Sequence, residues 1–505
     1  MMHPPRSIIH ALFDRARANP GRPCVYASGT TVSYGTLAEE AARVAGGLRE
    51  LGLRRGDRAA LFLANSVEFL VAYLGAQLAG ATVVLVNTQY RQVELRHILG
   101  DSGARLCVTD GARREELERV RPGLPELEVL VQAGAPAAGA VSLAELRAGS
   151  APHMDPGAID PNDLALIGYT SGTTGRAKGA MLTHANLAAN SAAVTQAWGW
   201  TEGDRLLLTL PLFHIHGLGV GIHGTLYSGA QVNLRPGFEA SEVFDELLAG
   251  TPTMFFGVPT MYGRLIAEAR RRGQRPPPIR LYVSGSAPLS PQTFAEFAEL
   301  FGQPILERYG MTETVMNLTN PLEGERRPGT VGMPFPGQEA RIVDVRTRAP
   351  LPDGEVGEIQ VRGPHVFKGY WRRDDATAEA FDTGGWFNTG DLGVRSADGY
   401  YTIVGRAREL IISGGYNIYP RELEEVLATL PGVAEVAVFG EPDPDFGERV
   451  VAAIVPAPGV SLTADEVIAY CRERLAAYKK PRRVIFCEAL PRNALGKVQK
   501  HLIGG

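Results

Sequence analysis

Short apolar runs alternate with amphipathic stretches over the first two thirds of the chain. Residues 7–18 pattern as a short helix, and Ser28-Gly29 marks a hairpin behind it. A helix over about 35–52 leads to a strand at 59–63. The next helix runs from Ser66 to about 79, with Phe69, Tyr73, Leu74 and Leu78 on one face. A strand at 82–86, a helix at 92–99 and a strand at 105–109 continue the alternation. Residues 133–163 are rich in Ala, Gly, Pro and Asp and read as a surface connection.

The alternation resumes with an apolar run at 164–168, the stretch Tyr169-Thr-Ser-Gly-Thr-Thr-Gly-Arg-Ala-Lys178-Gly179, and a short strand at 180–182. A helix at 184–197 follows, then a strand at 206–210 that runs into Pro211-Leu-Phe-His-Ile-His-Gly217. A helix passes through 221–227, and strands are expected at 231–234, 254–257 and 281–284. Residues 258–264 open another helix, and the last of those strands ends in Gly285-Ser286-Ala287-Pro288. Strands alternating with helices imply parallel-type sheets with helices on their faces. In such sheets, ligands bind beyond the carboxyl ends of strands. From about 325 to 404 the texture changes to short strands with Pro/Gly turns (338–343, 358–362, 400–404), which is a small β subdomain. Beyond it, Leu423, Val426, Leu427 and Leu430 give a helix that Pro431-Gly432 stops. Strands at 435–439 and 450–455, a capping box of Thr463 with Glu466 and a strand at 483–486 complete a compact α+β unit. The expected fold class is α/β, with an N-terminal domain over 1–406 and a small mobile C-terminal α+β domain over 407–505.

Composition narrows the function classes. A net charge of −4 gives no reason to expect nucleic acid or an anionic membrane as partner. The ten histidines form no HxxxH or Cys/His cluster, and the four cysteines are unpaired by spacing, as in a reducing compartment. The apolar start Ile8-Ile9 is broken by Asp14, Arg15 and Arg17, so no secretory leader is expected. No uncharged run reaches the length of a membrane span, and Leu502-Ile-Gly-Gly505 carries no targeting or lipidation box. The expectation is a cytoplasmic monomer or homodimer.

The stretch at 169–179 carries the densest chemistry: three glycines, five hydroxyl side chains and a lysine in eleven residues. Glycines let backbone N–H groups close on an anion, hydroxyls add donors, and Lys178 adds a point charge. This is a loop suited to the phosphates of ATP. Five residues lie between Gly172 and Lys178, so the spacing is not that of a Walker A loop. Four further motifs follow in order: Tyr309-Gly-Met-Thr-Glu313, Thr389-Gly-Asp391, Gly405-Arg406 and Pro491-Arg-Asn-Ala-Leu-Gly-Lys497. With these five motifs the whole chain resembles the adenylate-forming superfamily of acyl-CoA synthetases, luciferases and peptide-synthetase adenylation domains.

The resemblance implies a role for each motif. Thr170, Ser171, Gly172, Thr173, Thr174 and Lys178 hold the phosphates. Thr174 and Glu313 hold Mg²⁺, for which a hard oxygen donor is suited. Gly285, Ser286, Ala287, Tyr309, Gly310, Met311 and Thr312 surround the adenine. Asp391 sits in a Gly-flanked turn and accepts the ribose hydroxyls, joined by Arg406. Lys497 is the catalytic cation for attack of a carboxylate on the α-phosphorus, a step in which charge builds on the phosphoryl group. Lys500 beside it is an ordinary surface lysine. The C-terminal domain rotates about a hinge at Arg408, where the family carries Asp or Lys. Ser413, Gly414 and Gly415 then face the site and pass coenzyme A to the acyl-adenylate.

The acid should meet His214, His216, Arg264, Ser286 and Met311. An arginine in a partly closed pocket needs an anion, and a second carboxylate on the substrate supplies it. Gly257-Val-Pro-Thr-Met-Tyr-Gly-Arg264 and Glu307-Arg-Tyr-Gly-Met-Thr-Glu-Thr-Val-Met-Asn317 resemble the malonyl-CoA synthetase branch, which implies malonate and methylmalonate as acids. Another short, medium-chain or aryl acid, or a nucleophile other than coenzyme A, is the alternative. An amino-acid substrate is disfavoured, because residues 214–224 hold no acidic residue to pair an ammonium. A luciferase-like oxygenase has no feature asking for it. A non-catalytic nucleotide-binding protein would not keep Lys178, Glu313, Asp391, Arg406 and Lys497 together.

Overall fold

A computed structural model describes residues 6–135, 137–170, 177–413, 416–476, 478–492 and 497–503. The chain forms two compact units, residues 1–340 with 361–387, and residues 341–360 with 388–505.

The first unit is built on two sheets. One places seven strands in the order Val141–Ser142, Val129–Ala133, Leu106–Asp110, Arg58–Phe62, Thr82–Leu85, Leu164–Thr170 and Lys178–Thr183. All neighbours are parallel except the last pair, which is antiparallel. Ala59, Ala60, Leu61, Val83 and Val84 are buried, as strands covered on both faces require. The other sheet has nine strands: Met333–Pro334, Leu318–Thr319, Leu306–Tyr309, Leu281–Ser284, Met254–Gly257, Arg205–Leu208, Gln231–Leu234, Pro23–Ala27 and Thr30–Ser33. Its middle six run parallel. The carboxyl ends of Arg205–Leu208, Met254–Gly257, Leu281–Ser284 and Leu306–Tyr309 therefore lie side by side. Helices Ala240–Leu248, Pro259–Arg272 and Pro291–Phe301 share a core with this sheet through Phe255, Tyr262, Tyr282, Phe297 and Phe301. Phe297 stacks on Phe301 at 4.0 Å between ring centroids.

The second unit carries most of a four-stranded sheet, ordered Glu339–Val343, Val356–Arg362, Phe387–Arg395 and Tyr401–Arg406. A five-stranded sheet follows, ordered Tyr416–Ile418, Ile411–Ser413, Gly447–Pro456 and Val433–Asp443, with Arg483–Phe486 parallel to Gly447–Pro456. Leu423 and Leu427 of helix Pro420–Leu427 and Val467 and Cys471 of helix Ala464–Arg474 fill its core. Thr463 and Glu466 form the expected capping box.

The α/β class stands, and four local expectations are corrected. Residues 133–163 are not a plain surface connection. They contain the strand Val141–Ser142 and the helix Leu143–Gly149, whose Leu143 and Leu146 are buried. A two-residue strand and a seven-residue helix are too short for periodicity to expose. Helix Val67–Leu78 is buried at every residue from Phe69 to Leu78, so it is a core helix without a polar face. The helix expected from 221 begins five residues earlier, as a π-helical stretch His216–Ile222 that leads into His223–Ser228. Asp391 lies within the strand Phe387–Arg395, not in a turn.

Candidate active site

In the first unit, the stretch at 169–179 joins two antiparallel strands, with Thr170 paired to Lys178. Ser171, Gly172, Thr173 and Thr174 lie outside the described residues. The strand Lys178–Thr183 is flanked by the segment 368–371: Lys368 N–H donates to Met181 O, Met181 N–H to Gly369 O, and Trp371 N–H to Gly179 O. This pairing places Tyr370 beside Lys178. The Tyr370 hydroxyl donates to Glu313 Oε1 at 2.9 Å, and Lys178 Nζ lies 5.1 Å from the Tyr370 ring centroid. Glu313 is 4% exposed. A Cβ on Gly168 would stand 2.5 Å from Thr312 Cγ2, so glycine there lets the 309–313 segment close on the base of the loop. Two residues beyond that segment Val315 holds φ +61°, a left-handed conformation that costs a β-branched residue strain of order 1–3 kcal/mol.

Among the described residues, no group of three or more His, Cys, Asp or Glu side chains is placed to hold a metal ion. Glu313 is a buried carboxylate that accepts the Tyr370 hydroxyl. One hard oxygen donor fits a Mg²⁺ that arrives on ATP phosphates and keeps most of its other ligands.

The four adjacent strand ends of the nine-stranded sheet gather the residues assigned to the acid. His216 opens the π-helical stretch after Arg205–Leu208 and is 2% exposed. Gly217 is needed next to it, because a Cβ there would stand 2.3 Å from Pro211 O. His216 Nδ1 lies 3.2 Å from Ser286 Oγ, and its backbone N–H donates to His214 Nδ1 at 3.2 Å. Ser286 holds φ +68°, which turns its hydroxyl toward the histidine. Burial first, then the Arg308 guanidinium and His214, hold His216 well below its ordinary pKa, so it is neutral at pH 7. Met311 is half-buried, with its Sδ 3.8 Å from the Tyr309 hydroxyl. Arg264, expected in a partly closed pocket, is exposed on helix Pro259–Arg272.

The enclosed cation in this region is one the sequence reading passed over. Arg308 is 3% exposed, on the strand Leu306–Tyr309. Its guanidinium lies flat on Gly285, where a Cβ would come within 2.5 Å of Cζ. Its Nε and Nη2 have no hydrogen-bond partner among the described residues. His216 Nε2 and Ser284 Oγ are likewise buried without partners. Burial pushes the Arg308 pKa down to about 9, with Tyr262 partly offsetting it, so the group remains cationic at neutral pH. A buried unpaired cation is costly unless something supplies an anion.

In the second unit, Asp391 and Arg406 are register partners on antiparallel strands, and Arg406 Nε donates to Asp391 Oδ1 at 2.8 Å. Thr389 Oγ1 accepts the Asp391 N–H at 3.1 Å, and Gly390 takes φ +70° between them. Arg408 lies on the single turn Ala407–Glu409 directly after. Ser413 ends the strand Ile411–Ser413, while Gly414 and Gly415 lie outside the described residues. Lys497 is exposed. Lys500, read as an ordinary surface lysine, is mostly buried and bridges Glu409 and Glu424 at 2.8 Å each. Burial opposes its charge, but the two carboxylates win and raise its pKa.

Comparison with known proteins gives a consistent assignment. The family model for AMP-binding enzymes matches residues 12–371, and that for the AMP-binding enzyme C-terminal domain matches residues 422–497. The chain is 38% identical over 490 residues to a feruloyl-CoA synthase of Amycolatopsis sp, covering 96% of both chains. It is 38% identical over 494 residues to a sulfoacetate–CoA ligase of Cupriavidus necator, covering 96% of this chain and 95% of that one. A malonate–CoA ligase of Arabidopsis thaliana is 34% identical over 537 residues, covering 98% and 87%. The ATP-bound structure of MatB from Rhodopseudomonas palustris superposes with a TM-score of 0.90 at 39% identity, covering 99% and 98%.

Proposed function

The chain belongs to the AMP-binding enzyme family, and on that premise we propose that the acid it activates is a small dianion, malonate first and methylmalonate second. As an AMP-forming acid–CoA ligase it joins a carboxylic acid to coenzyme A at the expense of ATP. The observation that carries the choice of acid is Arg308, a buried guanidinium with two unpaired nitrogens beside His216 and Gly285. A second anionic group on the substrate supplies what that cation lacks, as two charge-assisted hydrogen bonds. Ser286 and neutral His216 add donors or acceptors at its margin, and exposed Arg264 draws dianions toward the pocket mouth. Two relatives, named for sulfoacetate and malonate, act on small acids with a second anionic group. The one named for ferulate does not, so family membership alone leaves the acid open.

For the nucleotide, Lys178 and the loop hold the β- and γ-phosphates, the part that leaves. Glu313 would hold Mg²⁺, which when bound neutralises phosphate charge. Asp391 is a two-oxygen acceptor for the ribose hydroxyls, and Arg406 fixes its carboxylate plane. Lys497 stabilises charge at the α-phosphorus during adenylation, and the Ser413-Gly-Gly segment passes the thiol of coenzyme A. The test is pyrophosphate release across malonate, methylmalonate, oxalate, sulfoacetate, propionate and ferulate, with and without coenzyme A. Malonate should give the highest kcat/KM, with thioester formed only when coenzyme A is present. Equal or better turnover of propionate or ferulate sinks the dianion reading.

A further inference from the structure

We propose that Tyr370 is a positioning residue that keeps Lys178 and Glu313 apart and holds each for a different part of MgATP. The proposal rests on the ATP-site roles given above for those two residues. Lys178 and Glu313 carry opposite charges and both approach the same tyrosine. Left to themselves, a lysine and a buried carboxylate at close range form an ion pair, which uses up both. Tyr370 meets both instead: the ammonium sits over its ring, 5.1 Å from the centroid, and the carboxylate accepts its hydroxyl at 2.9 Å. One side chain thus satisfies a cation with its π face and an anion with its edge.

The position of Tyr370 is fixed independently of those contacts. Its backbone bridges to Ala180 beside the strand that carries Lys178, and its N–H donates to Thr377 Oγ1 at 2.9 Å. Phe367 N–H donates to Glu313 O at 2.8 Å, so the same segment also grips the backbone of the carboxylate. An interposed tyrosine leaves the ammonium mobile enough to turn to phosphate oxygens. It also fixes the carboxylate plane before the metal arrives. The ring is a spacer, and the hydroxyl is a clamp.

Two variants separate these parts: Tyr370→Phe keeps the ring and loses the clamp, and Tyr370→Leu loses both. The readout is ATP binding by calorimetry without acid or coenzyme A, with Mg²⁺ absent or titrated, so no turnover is involved. In Tyr370→Phe, metal-free ATP binding should stay within about twofold of the parent, while the Mg²⁺-dependent gain in affinity falls about tenfold. In Tyr370→Leu, metal-free binding should fall about tenfold as well, because Lys178 is free to pair with Glu313. Lys178→Met and Glu313→Gln are the reference variants. If Glu313→Gln abolishes the Mg²⁺ gain and Tyr370→Phe leaves it intact, Tyr370 does not position the carboxylate and the proposal fails. If neither reference variant changes ATP or MgATP binding, the ATP-site assignment itself is wrong and the proposal falls with it. Melting temperatures of all four variants check folding, and Tyr370→Phe alone decides the matter if Tyr370→Leu does not fold.

Discussion

Replacing Arg308 by methionine should stabilise the ligand-free protein and disable it toward dianionic acids at the same time. Methionine matches the length of the stem and removes the charge. Holding that charge in its buried site depresses the pKa from 12.5 to about 9. At about 1.4 kcal/mol per pH unit, the displacement corresponds to roughly 5 kcal/mol of unfavourable burial. Repacking recovers only part of it, and replacements of buried ions by apolar side chains commonly return about 1–4 kcal/mol. The melting temperature of the first unit should therefore rise by a few degrees. Loss of a buried charged partner to the substrate costs about 2–5 kcal/mol, so kcat/KM for malonate should drop by about 30-fold or more. Propionate or butyrate should be turned over at least as well as by the parent. Differential scanning calorimetry and a coupled pyrophosphate assay read the two effects. A variant that melts lower and still uses malonate normally would show that the guanidinium is a structural strut, and the reasoning would be refuted.

Arg264→Leu should reduce kcat/KM for malonate by about tenfold while leaving propionate nearly unchanged; an unaltered KM for malonate would remove Arg264 from the acid site. Lys497→Ala should abolish pyrophosphate release, yet form thioester from supplied acyl-adenylate and coenzyme A at close to the parental rate. Equal loss of both half-reactions would contradict its assigned role. Burial holds His184 at about 4 and His223 and His365 at about 3, with His216 also well below 6.5. Their folded pKa values lie below the unfolded one, so stability is intact above pH 6.5 and is lost as pH falls from there toward 3–4. The loss approaches about 1.4 kcal/mol per histidine per pH unit, or about 5 kcal/mol per unit for the four together. Urea midpoints of the first unit at pH 7.5, 6.0 and 5.0 measure it, and a flat series would mean the imidazoles are not buried as described. Gly168→Val should push Thr312 aside, cost about 1–3 kcal/mol of stability and weaken ATP binding. Normal ATP affinity in a folded Gly168→Val protein would show that the 309–313 segment does not depend on that contact.

The alternation of apolar runs with amphipathic stretches was enough to read the two parallel sheets, because buried parallel strands are unbroken Val, Leu and Ala runs. The motif residues were legible for a different reason: glycines, hydroxyls and carboxylates at fixed spacing carry their chemistry in the chain itself. What stayed hidden depends on neighbours distant in sequence. Arg308 is flanked by Glu307 and Tyr309 in an obvious motif, yet its burial is decided by Gly285 on the adjacent strand. An arginine two residues after Leu306 on a buried strand, with glycine at the end of the next strand, was the available cue. Lys500 was misread in the same way, since Glu409 and Glu424 lie far from it in the chain. Asp391 was placed in a turn because Gly390 suggests one, but the strand absorbs a positive φ at that glycine without breaking. Helix Leu143–Gly149 was lost because Ala and Gly dominate its surroundings.

The first unit divides the residues assigned to its two tasks between two sheets only in part. The residues assigned to the acid hang from four neighbouring strand ends of the nine-stranded sheet, and Lys178 belongs to the seven-stranded one. Segments 285–287 and 309–313, at two of those strand ends, are also assigned to the adenine, and Thr312 packs against Gly168 of the seven-stranded sheet. The loops after Arg205–Leu208 and Met254–Gly257 carry proposed acid contacts alone, so either can be exchanged for another shape or charge without touching the residues assigned to the nucleotide. In engineering terms the proposed acid site is a socket with two replaceable walls. Residues 285–287 and 309–313 are the seam along which any exchange must leave the sequence alone.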